Sequence, residues 1–277
     1  MKVQHHINPE QRWPRCQAVT LNDGILHCSL ALQQTYVLTE AYRHDLHIRF
    51  ANTKTDHDLT EFIRLWGPLD LSEGQKLSAA ASFPLSNFRT FQRWLRAVLD
   101  LLAAFKSGEG ERTALQEFLE ADYEKERSSS APLAEPLSWS ILKHGFAISG
   151  SVVDWVNGAT IGEVQSATDL LLPFVAVLRV IGDLVFRRGR NRGEVEARWQ
   201  IDNLKEALCW MVWYDEFTKH PIICCQECRK VFRSETAHAR KYCSYECAHR
   251  ATGREWQRRK RATLRRSSKR NQRTERK

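Results

Sequence analysis

The sequence predicts an α+β protein: a predominantly α-helical body with a few short strands, followed by a small four-cysteine unit that runs into a basic helix. Three observations predict it. Phe88, Phe91, Leu95, Val98, Leu102 and Phe105 recur at alternating spacings of three and four, which makes one apolar stripe along a long helix. Residues 25–50 carry short apolar runs with β-branched and aromatic members, Thr35, Tyr36, Val37, Tyr42, Ile48 and Phe50, the composition of one to three strands. Four of the eight cysteines fall between Cys225 and Cys247 in two short-spaced pairs.

The elements follow in order. Residues 1–20, punctuated by Pro9 and Pro14, read as irregular. After the expected strands, Leu59, Phe62, Ile63 and Trp66 lie at helical spacing, with Asp56 or Asp58 as cap, and Gly67-Pro68 ends that helix. The striped helix comes next, then a polar helix from Glu111 to about Glu126. Ser128-Ser129-Ser130-Ala131-Pro132 and Pro136 mark a linker. Residues 139–162 read as strands and turns, from Phe146, Ile148, Val152, Val153 and Trp155 and from the turn signal Asn157-Gly158. An apolar segment, Leu170 to Phe186, is broken by Pro173, Arg179 and Asp183, so it falls short of the ~18 uninterrupted apolar residues of a membrane span. A helix from Asp202 to about Phe217 presents Leu204, Leu208, Met211 and Val212 and delivers the chain to Pro221. The divisions are an N-terminal α+β domain over 1–127, a second, mostly helical part over 138–220, a finger over 221–253 and an arginine-rich tail over 254–277.

The cysteine spacing carries the chemistry. Cys225 and Cys228 are two residues apart, as a metal-binding knuckle requires, and Cys243 and Cys247 form the second pair. Four thiolates close the coordination shell of one structural Zn2+, leaving no open position to activate water. The segment from Cys225 onward has few large apolar residues, and units of that size seldom fold without a staple. Phe232 and Tyr242 are placed to pack around the metal, the first knuckle opens a short hairpin, and Ser244 caps a helix carrying Cys247 in its first turn, a treble-clef-like arrangement. Cys224 could exchange with Cys225, and His238 and His249 are substitute ligands by type. Cys16, Cys28 and Cys209 read as buried thiols.

Charge is divided unevenly. Net charge is +9, yet residues 225–277 hold 18 Lys and Arg against 5 Glu, while the rest holds 24 basic against 28 acidic residues. A mildly acidic body with an intensely basic end is the asymmetry of a polyanion binder. Arg250, Arg254, Arg258, Arg261 and Arg265 share one helical face; Arg259 and Arg266 add to the charge, and guanidinium groups favour bidentate phosphate contacts. Trp256 is expected to pack on the finger. His44, Asp45, His47, Asp56, His57 and Asp58 are ligand-type residues explained as well by strand alternation and helix capping.

The runs CQECRKVF and RKYCSYECAHR, with the arginine-rich helix, resemble the CGNR-type zinc finger at the C-terminus of bacterial proteins with an ABATE-type N-terminal domain. Cys225, Cys228, Cys243, Cys247 and Arg250 match residue by residue; Ala248-His249 stand where the family has Gly-Asn. Phe50-Ala51-Asn52-Thr53 is similar to that family's N-terminal Asn-Thr element. The resemblance implies a stress-induced transcription regulator. With it the expectation is a cytoplasmic, zinc-dependent protein that binds nucleic acid, DNA ahead of RNA, with a body that senses a small-molecule effector or forms a homodimer. Alternatives are an RNA- or ribosome-associated factor, or a protein-interaction finger on an enzyme body. No phosphate loop, Gly-x-Ser-x-Gly elbow or HExxH occurs, so no enzyme is expected. The N-terminus lacks the apolar core of a signal peptide, and metal-spaced thiols suit a reducing compartment.

Overall fold

The computed structural model describes residues 6–7, 12–71, 80–128, 136–177, 184–188, 195–199, 201, 203–218, 220–234 and 240–274, with the backbone alone over 6–7, 32–33, 38, 172–177, 184–188, 195–199, 217 and 265–274. Its elements are β1 (His6–Ile7), β2 (Arg12–Asn22), β3 (Ile25–Val37), α1 (Leu38–Arg43), α2 (Leu46–Ala51), α3 (Asp56–Trp66), β4 (Ala80–Pro84), α4 (Leu85–Ser107), α5 (Glu111–Arg127), α6 (Leu137–Phe146), α7 (Val152–Gly158), α8 (Ile161–Val177), β5 (Leu184–Arg188), β6 (Val195–Trp199), α9 (Leu204–Phe217), β7 (Ile222–Cys224), β8 (Val231–Arg233) and α10 (Tyr245–Thr274). The architecture is mixed and mostly helical. One antiparallel sheet runs β2-β3-β4, a second sheet runs β1-β6-β5, and β7-β8 form a hairpin.

Residues 12–20 are strand, contrary to the irregular reading. Asp23 and Gly24 both adopt positive φ, 50° and 74°, and form the two-residue turn that folds β2 back on β3. Pro14 is tolerated because the register shifts beside it, between Pro14 and Arg15. Beyond Val37 the expected strands give way to α1 and α2. The α3 cap is Thr55, whose hydroxyl accepts from the Asp58 N–H while Asp58 reaches back to the Thr55 N–H, so Asp58 completes the box and is not itself the cap. Gly67 ends α3 at φ 82°, and a Cβ there would lie 2.4 Å from the Pro14 carbonyl oxygen, so only glycine lets α3 close on β2.

The striped helix is α4, and it is the axis of the core. Phe88, Phe91, Leu95, Val98 and Leu102 are buried, while Phe105 is half-exposed at the end of the stripe. One side meets α5, where the buried Asp122 accepts hydrogen bonds from Trp94 Nε1 at 2.9 Å and Ser138 Oγ at 2.5 Å. Residues 139–162 are helical, not strands: α6, α7 and the start of α8 pack on α5 and on each other. Asn157-Gly158 ends α7 and makes no hairpin. Local β propensity lost there to burial of Leu142, Val152, Val156 and Val164 against helices. The Ser-Pro linker 129–135 and residues 178–183 of the Leu170 to Phe186 segment lie outside the described residues.

The other side of α4 meets β7 and β8. Ile222 and Val231 are fully buried in the same apolar cluster as the body. Asn52, at the end of α2, donates through Nδ2 to the Val231 carbonyl (2.8 Å) and accepts the Val231 N–H (3.2 Å), pairing both backbone groups of one strand residue. Arg96 on α4 donates to Asn52 Oδ1 at 3.0 Å and to the Arg229 carbonyl. Arg233 closes the junction. Its guanidinium lies 2.8 Å from Asp215 Oδ1 and 2.7 Å from Asp45 Oδ1, above the Tyr42 ring.

Candidate metal centre

Local geometry brings the four cysteines together. Ile222–Cys224 pairs antiparallel with Val231–Arg233, and the chain between turns through Arg229 at φ 60°. Within that turn the Cys225 N–H donates to the Lys230 carbonyl (2.9 Å) and the Arg229 N–H to the Cys225 carbonyl (2.9 Å), which holds Cys225 and Cys228 on one side. The second pair is set by α10. Ser244 Oγ accepts from the Cys247 N–H at 3.3 Å, the expected cap, and places Cys247 in the first turn. The Gln226 N–H donates to the Lys241 carbonyl at 3.1 Å and ties the two halves together.

The sulfurs of Cys225, Cys228, Cys243 and Cys247 all lie within 4.8 Å of one another. Cys228 Sγ is 3.5 Å from Cys243 Sγ, which is 3.6 Å from Cys247 Sγ. A tetrahedral ion with metal–sulfur bonds of about 2.3 Å needs sulfurs about 3.8 Å apart, so the cluster has the size and donor set to hold a metal ion. The residues of this unit fit the group.

Electrostatics favour thiolates at two positions. Burial pushes the Cys225 thiol up, but the backbone N–H groups of Cys228 and Cys243 directed at it outweigh burial and bring it below its ordinary value. The Arg250 guanidinium, 3.2 Å from Cys247 Sγ, lowers the Cys247 thiol. Cys243 is raised, by burial first and then by its sulfur neighbours. Four thiolates around a divalent ion would carry two net negative charges, and the Arg250 guanidinium against Cys247 Sγ would offset one of them.

Cys224 stands outside the cluster, its thiol turned to the Arg229 carbonyl at 3.6 Å. His249 is exposed with its ring tilted against that of Tyr245, and His238 lies outside the described residues. Phe232 and Tyr242 are half-buried, whereas Val231 is the buried apolar residue of β8. Among the ligand-type residues upstream, His47 is buried against Asp215 (2.8 Å), Asp45 pairs with Arg233 and Asp56 with Arg89. Among the described residues the four cysteines are the only metal-type cluster.

The basic helix leaves directly from this centre. Over its 30 residues α10 extends about 45 Å at 1.5 Å per residue. Arg250 and Arg254 both reach Glu227 in the first knuckle. Arg259 pairs with Glu255. Arg258 and Arg261 are exposed, and the side chains of Arg265 and Arg266 lie outside the described residues. Trp256 does not pack on the finger: it is 61% exposed with Lys260 beside its ring, because α10 has carried it about 14 Å past Cys247. Glu227 escaped the sequence reading; a carboxylate between two ligand cysteines was the available signal. Among the described residues no helix is long and apolar enough to cross a membrane.

Comparison with family models, with curated proteins and with solved structures finds no match for the chain.

Proposed function

We propose that the four cysteines hold one structural Zn2+ in a treble-clef-like finger, and that the protein binds nucleic acid through α10 as a cytoplasmic, DNA-binding transcriptional regulator with the CGNR/ABATE arrangement. The observation that carries this reading is the four-sulfur cluster at the root of a long helix that bears exposed arginines. A closed four-thiolate shell supplies rigidity and no reactive position, which agrees with a binding and not an enzymatic role. In a body whose charge is otherwise near balance, the basic surplus lies on a helix thin enough for the major groove of a duplex. Regulation would enter through the body, by an effector or by dimerisation.

A second reading, structured or looped RNA as the target, is favoured by Trp256, whose exposed ring beside cationic neighbours is a stacking platform for an unpaired base. Metal analysis of the purified full chain and binding titrations with duplex DNA and hairpin RNA over a salt series test both. One zinc per chain and a log–log salt slope steeper than about −4 on duplex DNA are expected. Absence of stoichiometric zinc, or binding to neither polymer, overturns the proposal; tighter, Trp256-dependent binding to RNA selects the second reading.

A further inference from the structure

We infer that Glu227 is a positioning residue that splints the arm helix across its weakest point, so that Arg250 and Arg254 brace the arm and contact with nucleic acid begins at Arg258. The inference rests on the nucleic-acid reading for the second half only; the splint itself is independent of any ligand.

The weak point is local. Gly253 is the one glycine in α10, and in a helix interior it costs about 1 kcal/mol relative to alanine. Its neighbour Thr252 turns its hydroxyl back to the Ala248 carbonyl at 3.0 Å, a contact that bends helices. Arg250 and Arg254 lie one turn apart, where like charges repel. Glu227 answers all three. Its side chain is 7% exposed, its Oε1 lies 3.8 Å from Arg250 Nε, and its Oε2 meets the Arg254 guanidinium. One carboxylate therefore grips the residues on both sides of Gly253. The grip starts from a fixed base, since Glu227 sits between Cys225 and Cys228, and Arg250 also contacts Cys247 Sγ.

Two consequences separate this from a plain surface ion pair. A guanidinium held by Glu227 is charge-compensated, so Arg254 adds little to the counterions released on binding, whereas Arg258, with no ion pair among the described residues, adds a full contact. Repairing the weak point should also replace the splint. Nothing lies within 4 Å of a Cβ built at Gly253, so alanine is accommodated there.

The test uses the zinc-loaded full chain and the variants Glu227→Gln, Arg254→Ala, Arg258→Ala and Glu227→Gln/Gly253→Ala. Without nucleic acid, hydrogen exchange at the amides of residues 251–258 should quicken about fivefold in Glu227→Gln and in Arg254→Ala, and return to the parent rate in the double variant. With a random-sequence duplex as probe, Arg258→Ala should reduce the salt slope by about 1 while Arg254→Ala leaves it within about 0.3. Unchanged exchange in both Glu227→Gln and Arg254→Ala overturns the splint. Equal slope losses for Arg254→Ala and Arg258→Ala overturn the division of the arm. Should the parent bind no duplex at all, the function proposed above fails while exchange still decides the splint, and Arg254→Ala tests it without altering the knuckle.

Discussion

Replacing Asp215 by asparagine should be among the most damaging single changes in the chain. Asp215 on α9 is fully buried and receives three partners: Tyr42 Oη donates at 2.6 Å, His47 Nε2 at 2.8 Å, and Arg233 lies 2.8 Å away. An amide removes the charge facing Arg233 and cannot accept on both arms, so one donor among the three loses its acceptor. Removing one member of a buried pair costs about 3–5 kcal/mol; here the lower end applies, because Arg233 keeps Asp45 at 2.7 Å. Against a total of about 5–15 kcal/mol this is a large share. Urea unfolding followed by tryptophan fluorescence reads it, and thermal unfolding should shift by about 6–10 °C. The pH dependence sharpens the test. Burial raises the Asp215 carboxyl, but the His47 hydrogen bond and charge, Tyr42 and Arg233 outweigh it, so the folded protein holds Asp215 below its ordinary value of 3.8. A depressed folded value stabilises above the unfolded value and is lost as pH falls through the folded one. The parent should therefore lose stability below about pH 4 more steeply than Asp215→Asn does. A loss under about 1 kcal/mol, or parallel acid profiles, would refute the reasoning.

Asn52→Ala leaves the Val231 N–H and carbonyl unpaired at the body–finger junction, and should cost about 1–3 kcal/mol in the same urea assay. Gly67→Ala forces a side chain onto the Pro14 carbonyl at positive φ, and a cost of about 2–4 kcal/mol is expected from thermal melts. Metal removal by a chelator, or Cys243→Ser, should abolish stoichiometric metal, unwind residues 240–258 in hydrogen exchange and leave the amides of β7 and β8 protected.

Legibility followed the range of the interactions. The α4 stripe, the α3 stop at Gly67 and the Ser244 cap depend on neighbours a few residues away, and each was readable. The four-cysteine cluster was readable too, because each of its two pairs is local in sequence. β2 is not legible locally because Pro14 argues against a strand until the register shift beside it and the Asp23-Gly24 turn, with its paired positive φ values, are in place. The helices over 139–162 were missed because Val152, Val153 and Trp155 suit strands in isolation and turn helical only against α5. The junction could not be read at all. Asp215 lies 173 residues from Tyr42 and 168 from His47 in sequence, and no local pattern marks a charge whose partner lies that far away.

The same distinction bears on what a metal at the four cysteines would do. By size, the C-terminal unit looked dependent on zinc for any structure. Yet its hairpin contributes Ile222 and Val231 to the body core, lends both backbone groups of Val231 to Asn52, and fixes Arg233 between Asp45 and Asp215. None of those contacts passes through a cysteine sulfur. A metal held by these cysteines would serve mainly to join Cys243 and Cys247, and with them α10, to a hairpin already held by the body. In that geometry, force or conformational change in α2 or α9 reaches the knuckle through Asn52 and Arg233. From there it reaches α10 through the four-cysteine cluster, the Gln226–Lys241 hydrogen bond and the contacts of Glu227 with Arg250 and Arg254. Repacking around Asp215 that shifts α9 would move β8 through Arg233 without passing through any cysteine sulfur.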